Sequence, residues 1–375
     1  MGLIRNLVGS GHTVVAVAPE DSYTEHIVDA GCEFVNLTMD SRGINPIKDV
    51  ALTWELYKIY KRIEPDVILH FTIKPNIYGS LAARMLKIPV INNVSGLGTV
   101  FLWKNFASSL ALWMYRIAFS SVNYVFFQNN DDRQHFLNRV GIKDLKTGIL
   151  PGSGIDVSAF APSAREHTGP FTFLLIARLL VDKGIEEYVK AVRLLKNEGF
   201  DAKFQLLGSI ETGHKRGVSL AKVKEWMSEG LIDYMGKTND VVPFIERADC
   251  VVLPSYREGT PRTLLEGASL AKPLIATDVP GCNSVVMDGK NGFLVKVKDP
   301  EDLAEKMKMM LSLNKDELVN MGDHSRQLVV QNFDEHLVIN KYREAIKEFS
   351  KVHTVGTKDK TKKKKFHSQA AALNL

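Results

Sequence analysis

The chain has few cysteines, and their spacing does not suit a disulfide framework. Cys32, Cys250 and Cys282 are the only three in 375 residues, and no C-x-x-C pair occurs. Isolated cysteines of this kind are typical of a reducing cytoplasm, and they argue against cysteine metal ligands. The 45% hydrophobic content is that of a globular protein long enough for two domains, each with its own core.

An uninterrupted hydrophobic stretch of membrane-spanning length is also missing. The longest candidate, FASSLALWMYRIAFSSVNYVFF at 106–127, contains Arg116 and Asn123, and its second half resembles a strand. We therefore expect a buried helix followed by a strand rather than a transmembrane helix. The initial GLIRNL is too short, and Arg5 comes too early, for the hydrophobic region of a secretory signal.

Excess positive charge is concentrated at the end of the chain. The formal net charge is +5, but residues 351–375 contain seven lysines and one aspartate, so the remainder has a net charge of −1. Nucleic-acid binding by the fold is therefore disfavoured. We expect the tail 351–375 to be disordered, because it is polar and rich in lysine.

A second basic stretch lies in the first half of the chain and is interleaved with apolar residues. From Arg42 to Arg116 there are ten Lys/Arg and four Asp/Glu. The apolar residues in this stretch include Trp54, Phe101, Leu102 and Trp103. A basic, aromatic surface of this kind fits peripheral attachment to an anionic membrane.

Strand-like and helix-like segments alternate along the chain and predict an α/β fold with parallel sheets. The first half contains the strand patterns TVVAVAP, DVILHF, VINNV and NYVFFQN, and the second contains FTFLLIA, KFQLLG, CVVLP, PLIAT and GFLV. A Gly/Pro/Ser-rich stretch separates the two series and predicts a linker. The predicted parts are a first domain at 1–150, the linker at 151–170, a second domain at 171–332, a final helix at 333–350 and the tail.

The most informative motif is EGTPRTLLE at 258–266, which places two glutamates around a Gly-Thr-Pro turn. The preceding ADCVVLPSY predicts a buried strand, and PRTLLEGASLA predicts a helix with Pro261 in its first turn. Glu258 is then on a strand-to-helix loop, where open α/β sheets bind ligands, and Glu266 is inside the helix. Ionised carboxylates suit sugar and ribose hydroxyls, although two glutamates at this spacing alone are also common surface residues.

A second motif, FTFLLIARLLVDKGIEEYV at 171–189, has the same strand–loop–helix order. Its loop carries Arg178 and Lys183 just before a helix that begins at Gly184. Two cations beside a helix N-terminus can bind a diphosphate, because both pair with phosphate oxygens and the helix dipole adds partial positive charge. The two motifs together predict a sugar-nucleotide site.

With these motifs the chain resembles the retaining glycosyltransferases of family 4, and the resemblance covers nearly the whole chain. It includes ILPGSGIDVSAF (149–160), the stretch from YMGKTND to DVPGC (234–282) and DGKNGFLV (288–295). In the first half, HFTIKPNIYGS (70–80) and VSGLGTVF (94–101) resemble the subgroup that builds capsular, O-antigen and lipid-linked N-glycan chains. Within that subgroup the likeness is greatest to transferases that add N-acetylgalactosamine to a bacillosamine-type sugar on undecaprenyl diphosphate.

The resemblance implies the GT-B fold, in which two Rossmann-like domains face each other across a cleft. It also implies front-face transfer with retention from a nucleotide sugar, with UDP as the expected carrier and no cofactor. No D-x-D pair occurs, so the metal-binding motif of the other major glycosyltransferase fold is missing and a metal-independent reaction is expected. The implied donor residues are Arg178 and Lys183 for the diphosphate, Glu258 with Gly259, Thr260 and Pro261 for the sugar, Glu266 for the ribose, and Gly236 and Lys237 near the base.

The acceptor side is expected on the first domain. Candidates at the ends of two predicted strands are His70, Lys74, Asn76, Ser95, Gly96 and Gly98. His70 has an alternative interpretation as a hydrogen-bonded structural residue. Many relatives have a histidine on the loop after the next strand, but here that loop reads SGLG, so no such role transfers to this chain. The expected acceptor is a lipid-linked saccharide, which implies a cytoplasmic protein bound peripherally at the inner face of the cytoplasmic membrane.

The start of the chain departs from the family pattern. Relatives begin with a strand and a loop before the first helix, whereas this chain starts with GLIRNLVGSGH, inside the expected helix. We therefore expect the first strand of the first domain to be missing, in the middle of a doubly wound sheet. Two alternatives to a transferase remain: a sugar-nucleotide epimerase of the same double fold, and a catalytically impaired nucleotide-binding fragment.

Overall fold

The computed structural model describes residues 1–39, 45–97, 106–142, 145–163, 169–211, 213–214, 216–355 and 370–374, with only the backbone described at 106–107, 351–355 and 370–374. The chain divides into two compact units. The first contains Met1–Leu150 and Val338–Leu375, and the second contains Pro151–Leu337. Each unit has its own parallel sheet, so the predicted α/β class is confirmed.

The first unit has a seven-stranded parallel sheet in the order β2-β1-β13-β3-β4-β5-β6. Its strands are β1 (Thr13–Ala18), β2 (Glu33–Asn36), β3 (Val67–Phe71), β4 (Val90–Val94), β5 (Tyr124–Phe127), β6 (Thr147–Ile149) and β13 (Ala370–Asn374). Its helices are α1 (Gly2–Gly9), α2 (Thr24–Asp29), α3 (Pro46–Ile63), a π-helix (Pro75–Gly79), α4 (Ser80–Leu86), α5 (Phe106–Phe119), α6 (Asn130–Val140) and α13 (Glu335–Val355).

Strand β13 lies in the centre of this sheet, between β1 and β3. Ala372 is in register with Val15 on one side and with Ile68 on the other. The prediction of a disordered tail is therefore wrong for Ala370–Asn374, because a parallel neighbour on each side pairs the backbone of this short apolar segment. The described chain opens with α1, and a strand upstream of it stays a prediction.

Two apolar cores cover the two faces of the first sheet. On one face, α3 to α6 pack through Tyr60, Phe119 and Phe136. On the other, α1, α2 and α13 pack through residues such as Leu7 and Tyr342. Helix α5 followed by β5 confirms the helix-then-strand order predicted for 106–127, but the helix is only partly buried, because Leu110 and Trp113 are exposed. None of the described helices combines the length and the hydrophobicity that crossing a bilayer requires.

The second unit has a six-stranded parallel sheet in the order β12-β11-β10-β7-β8-β9. Its strands are β7 (Thr172–Ile176), β8 (Lys203–Leu207), β9 (Asp233–Tyr234), β10 (Cys250–Leu253), β11 (Leu274–Thr277) and β12 (Gly292–Val295). Its helices are a 3₁₀ turn (Val181–Lys183), α7 (Ile185–Asn197), α8 (Leu220–Ser228), α9 (Val242–Arg247), α10 (Arg262–Ser269), α11 (Pro300–Ser312) and α12 (Lys315–Asn332).

The order of the second sheet places a topological switch between β7 and β10. From β7 the chain continues outward to β8 and β9, and then returns to place β10 on the other side of β7. The loops after β7 and β10 therefore leave adjacent strands at the same edge and run to opposite faces of the sheet. Ligands of open α/β sheets bind in the crevice that such a divergence creates.

Candidate functional site

The two predicted donor motifs meet at the switch of the second unit. The loop after β7 carries Arg178 and the 3₁₀ turn that ends at Lys183, and the loop after β10 carries Glu258. Val252 of β10 is in register with Leu175 of β7, so the two loops begin side by side. The structure thus brings together two segments that are 75 residues apart.

Gly184 is what allows these two loops to approach. Its φ of 71° is in the left-handed region, and a side chain there would overlap the carbonyl oxygen of Pro254. Next to it, the backbone oxygen of Asp182 accepts hydrogen bonds from the Tyr256 N–H at 2.9 Å and from the Ser255 hydroxyl at 3.1 Å. The loop after β7 is therefore held by hydrogen bonds to the segment that follows β10.

Lys183 and Glu258 form an ion pair across the switch. Their side chains are 20% and 14% exposed, so both charges lie at the edge of the protein interior. The pair fixes the Lys183 ammonium in position, and since an ammonium has three N–H donors, Glu258 alone does not exhaust it. Arg178, on the same loop, has an exposed side chain. Two cations beside the start of α7 are suited to oxygen-rich anions.

The turn after Glu258 packs closely against two glycines from distant parts of the chain. A side chain at Gly281, with φ 88°, would overlap the carbonyl oxygen of Gly259, and one at Gly152, with φ 63°, would approach the Thr260 side chain to 2.8 Å. Gly152 belongs to the segment predicted as a linker, which the structure assigns to the second unit. Pro261 is the N-cap of α10, one residue before the position that the sequence predicts.

Glu266 lies inside α10 and is only 6% exposed. Its carboxylate accepts a hydrogen bond from the Arg262 side chain at 2.8 Å. Burial raises the pKa of Glu266, and the hydrogen bond and positive charge of Arg262 oppose part of the rise. A carboxylate held this way is available as a hydrogen-bond acceptor at a fixed place within α10.

Gly236 and Lys237 follow the short strand β9. The carbonyl oxygen of Gly236 accepts a hydrogen bond from the backbone N–H of Gly208, just after β8, at 2.7 Å, and Lys237 is exposed. The structure therefore places both residues at the carboxyl edge of the same sheet, beyond β8 as seen from the Lys183–Glu258 pair.

Two residues near the site are absent from the predicted set. The Tyr256 hydroxyl donates a hydrogen bond to Glu187 of α7 at 2.8 Å, which links the loop after β10 to that helix as well. Burial raises the pKa of the Cys282 thiol, and the negative charge of Glu258 raises it further, so the thiol is neutral. Tyr256 lies directly before the EGTPRTLLE motif, so its place on the loop was a usable signal. Its partner was not visible in the sequence.

The structure assigns His70 to the interior of the first unit. Its side chain is 0% exposed, with Nε2 2.9 Å from the Tyr60 hydroxyl and Nδ1 2.8 Å from Asn92 Oδ1. Burial lowers the pKa of His70 to about 4, so the ring is neutral at physiological pH. Gly79 of the π-helix packs against it, since a side chain there would overlap the ring. The acceptor-contact prediction for His70 is therefore wrong, and the structural alternative is correct.

The other acceptor candidates lie at the carboxyl ends of β3 and β4. Lys74 pairs with Asp49 at 2.8 Å, and Asp49 also accepts a hydrogen bond from the Tyr78 hydroxyl at 2.9 Å. Asn76 donates to the carbonyl oxygen of Asn93 at 2.9 Å. The side-chain oxygens of these two asparagines are buried and have no hydrogen-bond partner within the described part of the chain. Such acceptors favour a ligand that supplies hydroxyl or amide donors.

Ser95 is exposed and Gly96 is partly exposed after β4, while Gly98 lies outside the described residues. Over the described ranges, no group of three or more His, Cys, Asp and Glu side chains is arranged to hold a metal ion.

Comparison with known proteins gives family matches over most of the chain. Residues 1–129 match the model for "Glycosyl transferase 4-like" and residues 170–313 match the model for "Glycosyl transferases group 1". A relative from Campylobacter jejuni, the N,N'-diacetylbacillosaminyl-diphospho-undecaprenol alpha-1,3-N-acetylgalactosaminyltransferase, is 28% identical over 91% of this chain and 93% of its own length. The UDP-Gal:alpha-D-GlcNAc-diphosphoundecaprenol alpha-1,3-galactosyltransferase of Escherichia coli is 23% identical over 83% and 82%.

Solved structures show the same fold. A glycosyltransferase from Rickettsia africae has a TM-score of 0.77 at 20% identity and covers 92% of this chain and 93% of its own. Anabaena HepE in complex with UDP and glucose has a TM-score of 0.76 at 16% identity, covering 92% and 95%. The fold is therefore that of the GT-B glycosyltransferases. With one family model matched in each half, the chain belongs to the glycosyltransferases, 4-like over residues 1–129 and group 1 over residues 170–313.

Proposed function

We propose that this glycosyltransferase moves a sugar, an N-acetylhexosamine, from UDP to a lipid-linked saccharide with retention of anomeric configuration. The activities that name the Campylobacter and Escherichia relatives support a diphospho-undecaprenol-linked acceptor. The solved complex of Anabaena HepE with UDP and glucose supports UDP as the carrier. The reaction belongs to the assembly of bacterial surface polysaccharide or glycan at the inner face of the cytoplasmic membrane.

The observation that carries the proposal is the Lys183–Glu258 ion pair at the switch between β7 and β10. It places a fixed cation and a fixed carboxylate at the edge where α/β sheets bind nucleotides. Lys183 and Arg178 bind the diphosphate, with the N-terminal end of α7 adding partial positive charge. Because the pairing restricts Lys183, little reorganisation is needed when negative charge develops on the leaving group.

In the transfer step, the bond between the donor's anomeric carbon and the diphosphate oxygen breaks. The acceptor hydroxyl oxygen bonds to that carbon on the face that the diphosphate leaves, and its proton passes to the departing diphosphate. Arg178 and Lys183 stabilise the growing charge without a metal ion. The products are UDP and the extended glycan, and the configuration at the anomeric carbon is kept.

The remaining donor residues orient the substrate. Glu258 accepts hydrogen bonds from the transferred sugar while Lys183 holds the carboxylate, and Gly259, Thr260 and Pro261 shape the backbone around it. Glu266 accepts hydrogen bonds from the ribose hydroxyls as an ionised carboxylate. Gly236 and Lys237 lie near the base. The contacts to the ribose and the base bind the donor before the reaction and so contribute to affinity, whereas the contacts of Glu258 with the transferred sugar contribute to turnover.

The acceptor is bound by the first unit at the carboxyl ends of β3 and β4. The unpartnered oxygens of Asn76 and Asn93 accept hydrogen bonds from hydroxyl or acetamido N–H groups of the saccharide. Lys74, held by Asp49, contributes positive charge for the acceptor's diphosphate. Ser95 and Gly96 line the same edge.

Release of UDP tests the function against its alternatives. The protein is incubated with a UDP-N-acetylhexosamine, with and without a lipid-linked saccharide, and UDP and the sugar products are quantified. A transferase releases UDP in proportion to glycan extended, only when the acceptor is present. Conversion of the donor sugar without acceptor identifies an epimerase, and UDP-sugar binding with neither reaction identifies an impaired binding protein; either outcome overturns the proposal.

A further inference from the structure

We propose that the outward face of α3, α4 and α5 in the first unit docks on an anionic phospholipid bilayer. The inference deepens the proposed function and rests on it for the reason a membrane is needed, because a lipid-linked acceptor is presented at that surface. The face itself is defined by the exposure and the charge of its side chains.

Helix α3 has an apolar solvent-facing stripe in its first half. Ile47, Val50 and Trp54 are 83%, 71% and 52% exposed and occur at i, i+3 and i+7, so they share one side of the helix. The Trp54 ring stacks on Tyr57 with centroids 5.0 Å apart, which restricts its orientation. Large exposed side chains in a row on one helix face are the pattern of an interfacial helix.

The neighbouring helices extend this apolar surface. Met85 of α4 is 58% exposed, and Leu110 and Trp113 of α5 are 39% and 59% exposed. Both exposed tryptophans within the described ranges, Trp54 and Trp113, therefore lie on these helices, while Trp226 is buried. Tryptophan is favoured at membrane interfaces because its ring is apolar and its N–H is polar.

The three helices lie on the same side of the first unit. Their inner residues, such as Tyr60, Ala83 and Phe119, belong to one core with Ile68 of β3. The π-helix Pro75–Gly79 contacts all three, so they are neighbours. Their outer residues therefore form one surface, on the side of the sheet that faces away from α1, α2 and α13.

The charge on this surface selects an anionic partner. The three helices and their caps carry seven exposed Lys/Arg against two acidic residues that are not buried, Glu55 and Glu64. The exposed cations are Lys48, Lys58, Lys61, Arg62, Arg84, Lys87 and Arg116. On α3 they continue the apolar stripe through Lys58 and Lys61, so apolar and cationic groups face the same way. Each cation near an anionic leaflet adds an attraction that neutral lipid does not supply.

Co-sedimentation with lipid vesicles tests the docking face. The full chain is mixed with vesicles of phosphatidylcholine alone or mixed with phosphatidylglycerol, at low and high salt. We expect binding to the anionic vesicles that weakens with salt. Trp54→Ser with Trp113→Ser, and separately Lys58→Gln with Lys61→Gln, should each weaken that binding about tenfold or more.

Matched controls separate the face from general hydrophobicity and from folding. Met309→Ser with Val319→Ser removes two exposed apolar residues from α11 and α12 of the second unit, 37% and 53% exposed, and should bind vesicles like the wild type. Thermal unfolding confirms that each variant is folded. The tryptophan variant should transfer sugar to a water-soluble acceptor at the wild-type rate, which keeps the docking result apart from the reaction.

Equal binding of wild type and tryptophan variant to anionic vesicles overturns the inference. The inference is also overturned if the wild type does not bind vesicles but forms a dimer, and the tryptophan substitutions dissociate that dimer. The face would then bind a second copy of the chain. If the wild type binds vesicles as described but transfers no sugar, the docking face stands and the proposed function fails.

Discussion

Replacing Glu266 by glutamine separates the cost of burying this carboxylate from its role in binding. Glutamine has nearly the same shape and can still accept the hydrogen bond from Arg262 that is 2.8 Å long in the structure. It removes the negative charge of the carboxylate to which the ribose hydroxyls would donate hydrogen bonds. Loss of charge assistance in such hydrogen bonds costs about 1.5–3 kcal/mol, so we expect UDP affinity to fall about ten- to a hundredfold.

The same change should not weaken the fold. Burial raises the pKa of Glu266 in the folded protein above its unfolded value. A group whose pKa is higher in the folded protein contributes most to stability when the pH is below its pKa in the unfolded chain. This contribution is lost as the pH rises through its pKa in the folded protein. Ionised Glu266 therefore destabilises the folded protein at neutral pH, and replacement by glutamine removes this destabilisation. We expect the unfolding temperature of Glu266→Gln, relative to wild type, to be equal or higher at neutral pH and to fall behind as the pH is lowered.

Calorimetric titration with UDP and thermal unfolding between acidic and neutral pH measure both effects on the same sample. UDP affinity of the wild type should also decline as the pH falls and Glu266 takes up a proton. Glu225→Gln, an exposed carboxylate on α8 of the same unit, is the control and should change neither quantity. Equal UDP affinity for wild type and Glu266→Gln would refute the ribose role.

Three further changes test other parts of the structure. Glu258→Gln should lower turnover while leaving UDP affinity close to wild type, since Glu258 holds the transferred sugar; an equal loss of UDP affinity in titrations would contradict that role. Ala372→Pro removes a backbone donor from a strand with neighbours on both sides and should lower the unfolding temperature; an unchanged temperature would show that β13 contributes no stability. Wild-type stability should fall between pH 6.5 and about 4, because His70 binds a proton in the unfolded chain while burial keeps it neutral in the folded protein, and His70→Gln should flatten this dependence; identical pH profiles in thermal unfolding would exclude His70 as its source.

The predictable parts of the fold are those that depend on local pattern. TVVAVAP contains β1, ADCVVLPSY contains β10, and the 106–127 stretch is a helix and then a strand. In each case a short apolar run between turn residues specifies the element without long-range information. The placement of Glu258 on a loop and Glu266 inside a helix follows for the same reason.

The parts that escaped prediction depend on partners distant in the chain. The Lys183–Glu258 pair joins residues 75 apart, and Gly152 and Gly281 constrain the Thr260 turn only because the fold brings them there. His70 appears at a strand end like a ligand residue, but Tyr60 and Asn92 enclose it. The lysines of the tail predict disorder, but Ala370–Asn374 pairs with a strand on each side, and no local pattern identifies those partners.

Turnover of Lys183→Ala is the measurement that tests the diphosphate site most directly. UDP release in the presence of acceptor and UDP binding are measured for the wild type, Lys183→Ala, Arg178→Ala and the control Lys190→Ala, an exposed lysine of α7. If preorganised charge stabilises the departing diphosphate, turnover of the two site variants falls about a hundredfold or more, and by more than UDP affinity does. Lys190→Ala should match the wild type. Unchanged turnover in a folded Lys183→Ala protein would contradict the proposed site.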